Sequence, residues 1–287
     1  MAVNNSLAAR KNQKVGLTAY LTQDAVKDQI NKVVGGKDGQ RFMAAIISAT
    51  NTNPALQECT NPSILSGALL GESLKLSPSP QLGHYYLVPF NDKNKGKVAQ
   101  FQLGYKGYIQ LAIRSGQYKK LNVLAIKEGE LEYFDPLNEE IKINLMVDKW
   151  DEREEAETIG YYAMFELTNG FKKAIYWSKK QMENHALKYS AGYKAKKGYT
   201  FWEKNFDMMA YKTMLRQLIS KWGIMSIEMQ SAFEHDMTFT DDSGKINYVE
   251  ADNDVIEMDV VEPTEPQEEK TESSVNETGA AAALFGK

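Results

Sequence analysis

The chain of 287 residues has a single cysteine, Cys59. No intrachain disulfide framework is therefore available, and Cys59 reads as a small, partly buried residue of a reducing compartment. His84, His185 and His235 stand far apart with no second thiol, which argues against a zinc site. No stretch approaches the roughly 20 apolar residues that span a bilayer. Residues Met1 to Leu17 lack the apolar segment of a secretory signal, so neither a membrane nor an export route is expected. A phosphate-binding loop of the form G-x-x-x-x-G-K-[ST] is also missing: Gly35-Gly36-Lys37-Asp38 has neither the spacing nor the hydroxyl residue. An ATP-driven motor is excluded on that reading, and no cofactor is expected. Magnesium is the one ion left open.

Charge is present but unevenly placed. The net charge of −4 conceals a split, because Glu234 to Lys287 holds 15 acids and 3 bases. The rest of the chain keeps 31 bases and 23 acids, a body of net +8. A basic body with an acidic tail suits a polyanionic partner better than the overall balance suggests. Within the body the signs are sorted again. Lys93 to Lys127 contains eight bases and no acid, and Lys172 to Lys221 twelve bases and three acids. Glu128 to Glu157 is the reverse, with twelve acids and three bases. One basic face and an acidic flank are expected.

Local patterns indicate an α+β fold: a helical N-terminal part, central antiparallel β hairpins, a long C-terminal helix and a disordered acidic tail. Residues 1–16 read as a flexible arm, 17–240 as the core and 241–287 as the tail. Asp38 is placed to cap a helix bearing Phe42, Ala45, Ile46 and Ala49, and Asn61-Pro62 reads as an N-cap with proline following. His84 to Phe90 and Val98 to Tyr105 read as two strands of a hairpin. Ile109 to Ser115 reads as a short helix stopped by Gly116. Asn169-Gly170 predicts a tight turn between the strands 160–168 and 171–177. Ser178 with Gln181 predicts a capping box. Tyr199 to Trp222 reads as one long, largely buried helix, ended by Gly223.

The basic blocks interleave amides and aromatics. Gln102, Tyr105, Tyr108 and Trp202 stand among Lys106, Arg114, Lys119, Lys120, Lys196, Lys197, Lys204, Lys212, Arg216 and Lys221. Cations neutralise phosphates, and aromatic faces stack on unpaired bases, so this set is expected to bind single-stranded DNA. Gly104 and Gly107 around the tyrosines permit close backbone approach. Lys212 and Arg216, four apart on one helix face, are expected to point at solvent, a neighbouring subunit or a polyanion. A carboxylate pair within Glu128–Glu157 would instead suit a magnesium-dependent nuclease. A plain single-strand-binding protein is a third reading. The tail is expected to compete with DNA for the basic surface, to bind a partner, or to act only as a solubilising segment.

Several blocks carry a family resemblance. They are Asn53-Pro54, Leu82 to Phe90, Gln100-Phe101-Gln102-Leu103-Gly104-Tyr105-Lys106-Gly107-Tyr108-Ile109 with Arg114-Ser115-Gly116, and Trp202…Met208-Met209-Ala210…Lys212-Thr213…Ser220-Lys221-Trp222-Gly223. Over residues 20–235 the chain resembles the RecT family of phage and prophage single-strand annealing proteins, related to the Redβ group. The resemblance implies an ATP-independent, non-enzymatic activity in the bacterial cytoplasm. It implies rings or filaments of many copies that pair a coated single strand with its complement to give annealed duplex. It further implies a partner 5′→3′ exonuclease and a host single-strand-binding protein. Lys196 and Lys197 fall outside the matched blocks.

Overall fold

The computed structural model describes residues 15–92, 95–198, 200–236, 238–240 and 246–248. The N-terminal arm and the acidic tail expected from the sequence lie almost wholly outside these residues. Four helices come first: α1 (Leu17–Leu21), α2 (Asp24–Val34), α3 (Gly39–Thr52) and α4 (Asn61–Ser73), with a 3-10 turn at Pro54–Glu58. Asp38 occupies the N-cap of α3 but makes no side-chain cap bond. Thr60, one residue before the expected Asn61, is the N-cap of α4, and Pro62 sits in its first turn.

Strands β1 (Tyr85–Asp92) and β2 (Gly96–Leu103) form the expected hairpin. Strand β2 also pairs with β8 (Thr238–Thr240), and β8 with β9 (Ile246–Tyr248), completing a four-stranded sheet. The face of the hairpin bearing Tyr85, Leu87, Phe101 and Leu103 packs with α4 and the other N-terminal helices in a single core. Helix α5 (Tyr105–Ser115) begins four residues before the expected Ile109 and ends, as the sequence indicates, at Gly116, whose φ is 68°.

A second sheet has the order β3-β6-β7, from β3 (Tyr118–Lys127), β6 (Thr158–Leu167) and β7 (Lys172–Ser178). The β6–β7 connection includes Asn169-Gly170 but is one residue longer than the expected two-residue turn. The Gly170 amide donates to the Leu167 carbonyl at 3.0 Å, closing the loop Thr168-Asn169-Gly170, and Gly170 takes the left-handed position with a φ of 89°. Residues Tyr161, Ala163, Phe165 and Leu167 of β6 face a helical layer made by α7 (Lys179–Tyr189) and α10 (Phe206–Trp222). Ser178 caps α7 through a complete capping box with Gln181. Between β3 and β6 the chain forms the small hairpin β4 (Leu131–Asp135) and β5 (Glu140–Ile143), then α6 (Trp150–Glu155).

The long helix expected over Tyr199–Trp222 is two helices. After α8 (Ala191–Lys194), α9 (Phe201–Lys204) is a single turn with its own capping box, Thr200 with Glu203. Asn205, at φ −137° and ψ 60°, breaks the helical path before α10 begins. Helix α11 (Ile227–His235) follows, capped by the Ser226 hydroxyl, which accepts from the Met229 amide. No helix among the described residues is long and apolar enough to cross a membrane.

Candidate nucleic-acid interface

The two halves of the fold meet at a small, largely apolar groove. One wall is the end of the β1–β2 hairpin with the start of α5, contributing Tyr86, Gln102, Gly104 and Tyr105. The other is the α9–α10 junction, contributing Phe201, Asn205, Met208 and Met209, with Lys212 at the base. Close packing of the chain on itself sets the first wall. A Cβ on Gly104 would strike the Gly83 carbonyl, and one on Gly107 the carbonyl of His84. The glycines therefore allow α5 to seat on the Leu82–His84 turn, a backbone approach within the chain itself. Gly104 donates to the His84 carbonyl at 2.9 Å and caps α5 with no side chain, and no acid lies in the first turn. The positive end of that helix is thus left at the groove.

Three aromatic rings line the groove. Tyr86 and Phe201 lie 6.2 Å apart across it, and Tyr105 meets Tyr211 edge-on at 5.7 Å. Burial, with Tyr105 nearby, raises the pKa of Tyr86, and burial raises that of Tyr105. Both phenols stay neutral donors at physiological pH.

Lys212 joins the cleft to a buried ionic cluster behind it, whose other side chains do not line the cleft. Asp236, only 4% exposed, accepts from Lys212 Nζ at 3.0 Å, Arg216 Nη1 at 2.7 Å, the Tyr108 hydroxyl at 2.9 Å and the Leu103 amide at 2.9 Å. Arg216 also donates to the Tyr108 hydroxyl at 3.1 Å. Two cations against one carboxylate leave an excess positive charge beside a low-dielectric cleft. Burial, and then the Arg216 charge, lower the pKa of Lys212, while Asp236 opposes them. The expectation that Lys212 and Arg216 face outward is corrected here. Lys212 is buried, and both turn to a carboxylate at the end of α11 that the sequence counts with the acidic tail.

The other expected residues divide. Lys106 stands exposed beside Tyr105, with its side chain along Gly83, and Lys204 is exposed beside Asn205. Each is the chain neighbour of a lining residue without lining the groove itself, and Gln102 lies in it, its amide nitrogen donating to Gln100 Oε1 at 2.8 Å. Tyr108 and Trp202 are interior residues and offer no face to a base. Tyr108 is fully buried against Phe233, and Trp202 packs on Phe206, Tyr193 and His185. Arg114 points the other way: its guanidinium donates to the carbonyls of Leu74 at 2.6 Å and Lys75 at 3.2 Å, closing the C-terminal end of α4. Lys221, at the far end of α10, lies 4.6 Å from the Trp222 ring. Lys196 and Lys197 lie exposed after α8. Lys119 and Lys120 belong to a separate cluster on the second sheet, around Glu166.

Sequence reasoning missed Tyr86, Phe201, Asn205, Met208 and Met209 as groove residues, and Asp236 as the centre of the ionic cluster behind it. The available signal was on α10 rather than at Asp236, since two cations on a buried helix face require a counter-ion. In the acidic segment, Glu130 is wholly buried on Arg153, with an Oε1–Nε distance of 2.6 Å. Glu132, Glu139, Glu152 and Glu157 pair with Lys142, Lys173, Lys149 and Lys179. Among the described residues no three His, Cys, Asp or Glu side chains gather as a metal site would require.

The helices and antiparallel sheets make an α+β protein with an aromatic-lined cleft between its two cores. The chain belongs to the RecT family, whose sequence model matches residues 40–253. It is 30% identical to Protein RecT of Escherichia coli K12 over 238 residues, 81% of this chain and 84% of that protein. It is 42% identical to YqaK, an uncharacterized protein of Bacillus subtilis strain 168, over 241 residues, 82% of this chain and 79% of that one. Membership places the chain among proteins of phage-type recombination and single-strand annealing.

Proposed function

We propose that this chain binds single-stranded DNA in the groove between the β1–β2 hairpin and the α9–α10 junction, and anneals it to a complementary strand without nucleotide hydrolysis. The observation that carries the reading is the groove itself: Lys212, Tyr86, Tyr105 and Phe201 line it, and so does Gly104, the N-cap of α5. Cations and helix amides hold phosphates without reading sequence. Neutral aromatic rings receive unpaired bases. Many copies in a row hold a strand extended, so part of the ordering cost of pairing is met before the complement arrives. Annealed duplex is the product and no bond is made or broken, so the chain acts as a non-enzymatic partner. By analogy with the family, a 5′→3′ exonuclease supplies the strand, and a host single-strand-binding protein shares it.

Binding of an oligonucleotide short enough for one subunit tests the site. Phe201→Ala is expected to weaken binding by about 1–3 kcal/mol, the worth of one stacked base. Lys106→Ala and Lys204→Ala are each expected to weaken binding to all sequences alike and to reduce the salt slope by about 0.7. Lys221→Ala should change neither. Unchanged binding in the first three variants would remove the groove. Fluorescence-monitored pairing of two complementary strands, with magnesium and without nucleotide, separates the rivals. Intact strands that become duplex faster support annealing, protected strands without faster pairing indicate a plain binding protein, and shortened strands a nuclease.

A further inference from the structure

The β3-β6-β7 sheet carries opposite charge at its two ends. At one end Lys119, Lys120 and Lys172 surround the single carboxylate of Glu166, at 2.8, 3.6 and 3.6 Å. Their side chains remain 62%, 63% and 65% exposed. Three ammonium groups on one carboxylate leave a net +2, and Phe171, 45% exposed, stands beside them. At the other end sits α6 with Asp151, Glu154 and Glu155 exposed. Trp150 and Val147, 54% and 62% exposed, lie on the same short stretch. The acidic end is firmly built. Arg153 of α6 reaches back to Glu130 and to the Ala125 carbonyl at 2.9 Å, and the Glu128 amide donates to the Glu157 carbonyl at 2.8 Å.

The two ends cannot neutralise each other within one chain. Lys120 and Lys127 lie at opposite ends of β3, about 23 Å apart at the rise of an extended strand. Each end instead offers what the other lacks: charge of opposite sign and an exposed apolar anchor. We infer that the acidic end, α6 with Trp150 and Val147, docks on the basic end, Lys119, Lys120, Lys172 and Phe171, of a second copy of this chain. Such a contact is heterologous, so it repeats head to tail and builds an open or closed row of subunits with a fixed direction. Opposite charge sets the register and speeds encounter, and the apolar anchors hold the contact. Lys119 and Lys120 are thereby assigned to the subunit contact rather than to DNA. The inference rests on the multi-subunit reading above but not on the groove.

Two full-length variants test it: Lys119→Glu with Lys120→Glu, and Glu154→Lys with Glu155→Lys. Sedimentation velocity on long single-stranded DNA is expected to show each alone failing to form the large assemblies of the parent chain. Mixed one to one they regain complementary ends at every junction, and assembly returns. Both are expected to bind a one-subunit oligonucleotide as the parent does, which also shows that they are folded. Assembly by either variant alone at parental levels overturns the inference. So does failure of the mixture to assemble, a parent chain that stays monomeric, or loss of short-oligonucleotide binding by the lysine variant with its assembly intact. Failure of the groove would show instead in Phe201→Ala and Lys204→Ala, whatever the assembly does.

Discussion

Asp236 has four donors on its two oxygens and no water-facing edge, so its removal leaves two charges without a counter-ion. Deleting one member of a buried ionic cluster costs about 3–5 kcal/mol, most of it the stranded charge. Asp236→Ala is expected to lower the unfolding free energy by that amount in urea titration, and to detach the end of α11 from α5 and α10. A Lys212→Met partner change should recover part of the loss, because one of the stranded cations is then absent. Histidines add a pH dependence. His84 accepts the Ser77 amide on Nδ1 at 3.2 Å, and burial, then Arg114 and Lys106, hold its pKa below the ordinary 6.5. Burial and then Lys188 lower that of His185. As pH falls through 6.5 the unfolded chain takes up protons that the native chain refuses, so stability declines toward the native pKa values and levels off below them. Thermal melts between pH 7.5 and pH 5 should show this decline, and His84→Asn should make it shallower.

At the scale of the element, local chemistry was readable where it is self-contained. The Asn169-Gly170 turn, the Ser178–Gln181 capping box and the Gly116 stop each depend on a few neighbouring residues, and each stands where the sequence put it, the turn with one residue more. The break at Asn205 was not readable, since apolar residues continue on both sides and only the Thr200–Glu203 box marks a separate turn. Strand β3 was hidden because it opens on Lys119-Lys120, which read as charge, before Leu121, Val123 and Ala125 turn to the core. The groove was legible only in part. Gln102, Tyr105 and the neighbouring lysines lie in charged or aromatic blocks, whereas Tyr86 and Phe201 arrive from elements 115 residues apart in sequence. Gly107 shows the same dependence on distant backbone. Gly107→Ala must push α5 off the His84 carbonyl, and a clash with backbone has no flexible end to move. Its expected cost is about 1–3 kcal/mol, the usual range for overpacking. The companion Gly36→Ala, with open space around it, should cost far less in the same denaturation series.

Over the whole molecule the decisive quantity is the distribution of charge, not its sum. Residues 249–287 hold 11 acids and 2 bases, so without them the remaining chain keeps 32 bases and 27 acids, a reversal from −4 to +5. A cut at Thr240 would also remove β9 and with it the partner of β8, so the informative truncation ends at Tyr248. A polyanion approaching the full chain meets a field in which the tail offsets the basic body, and that offset is screened beyond about 8 Å at physiological ionic strength. The chain truncated after Tyr248 is therefore expected to bind a short single strand more tightly than the full chain at low salt, chiefly through faster association. The two should converge as salt is raised, because long-range attraction is what the tail opposes and what salt removes. Stopped-flow association rates at three or four salt concentrations measure this directly. Rates that are equal at every salt concentration would show that the tail is electrostatically remote from the groove, and would leave it the role of a solubilising segment.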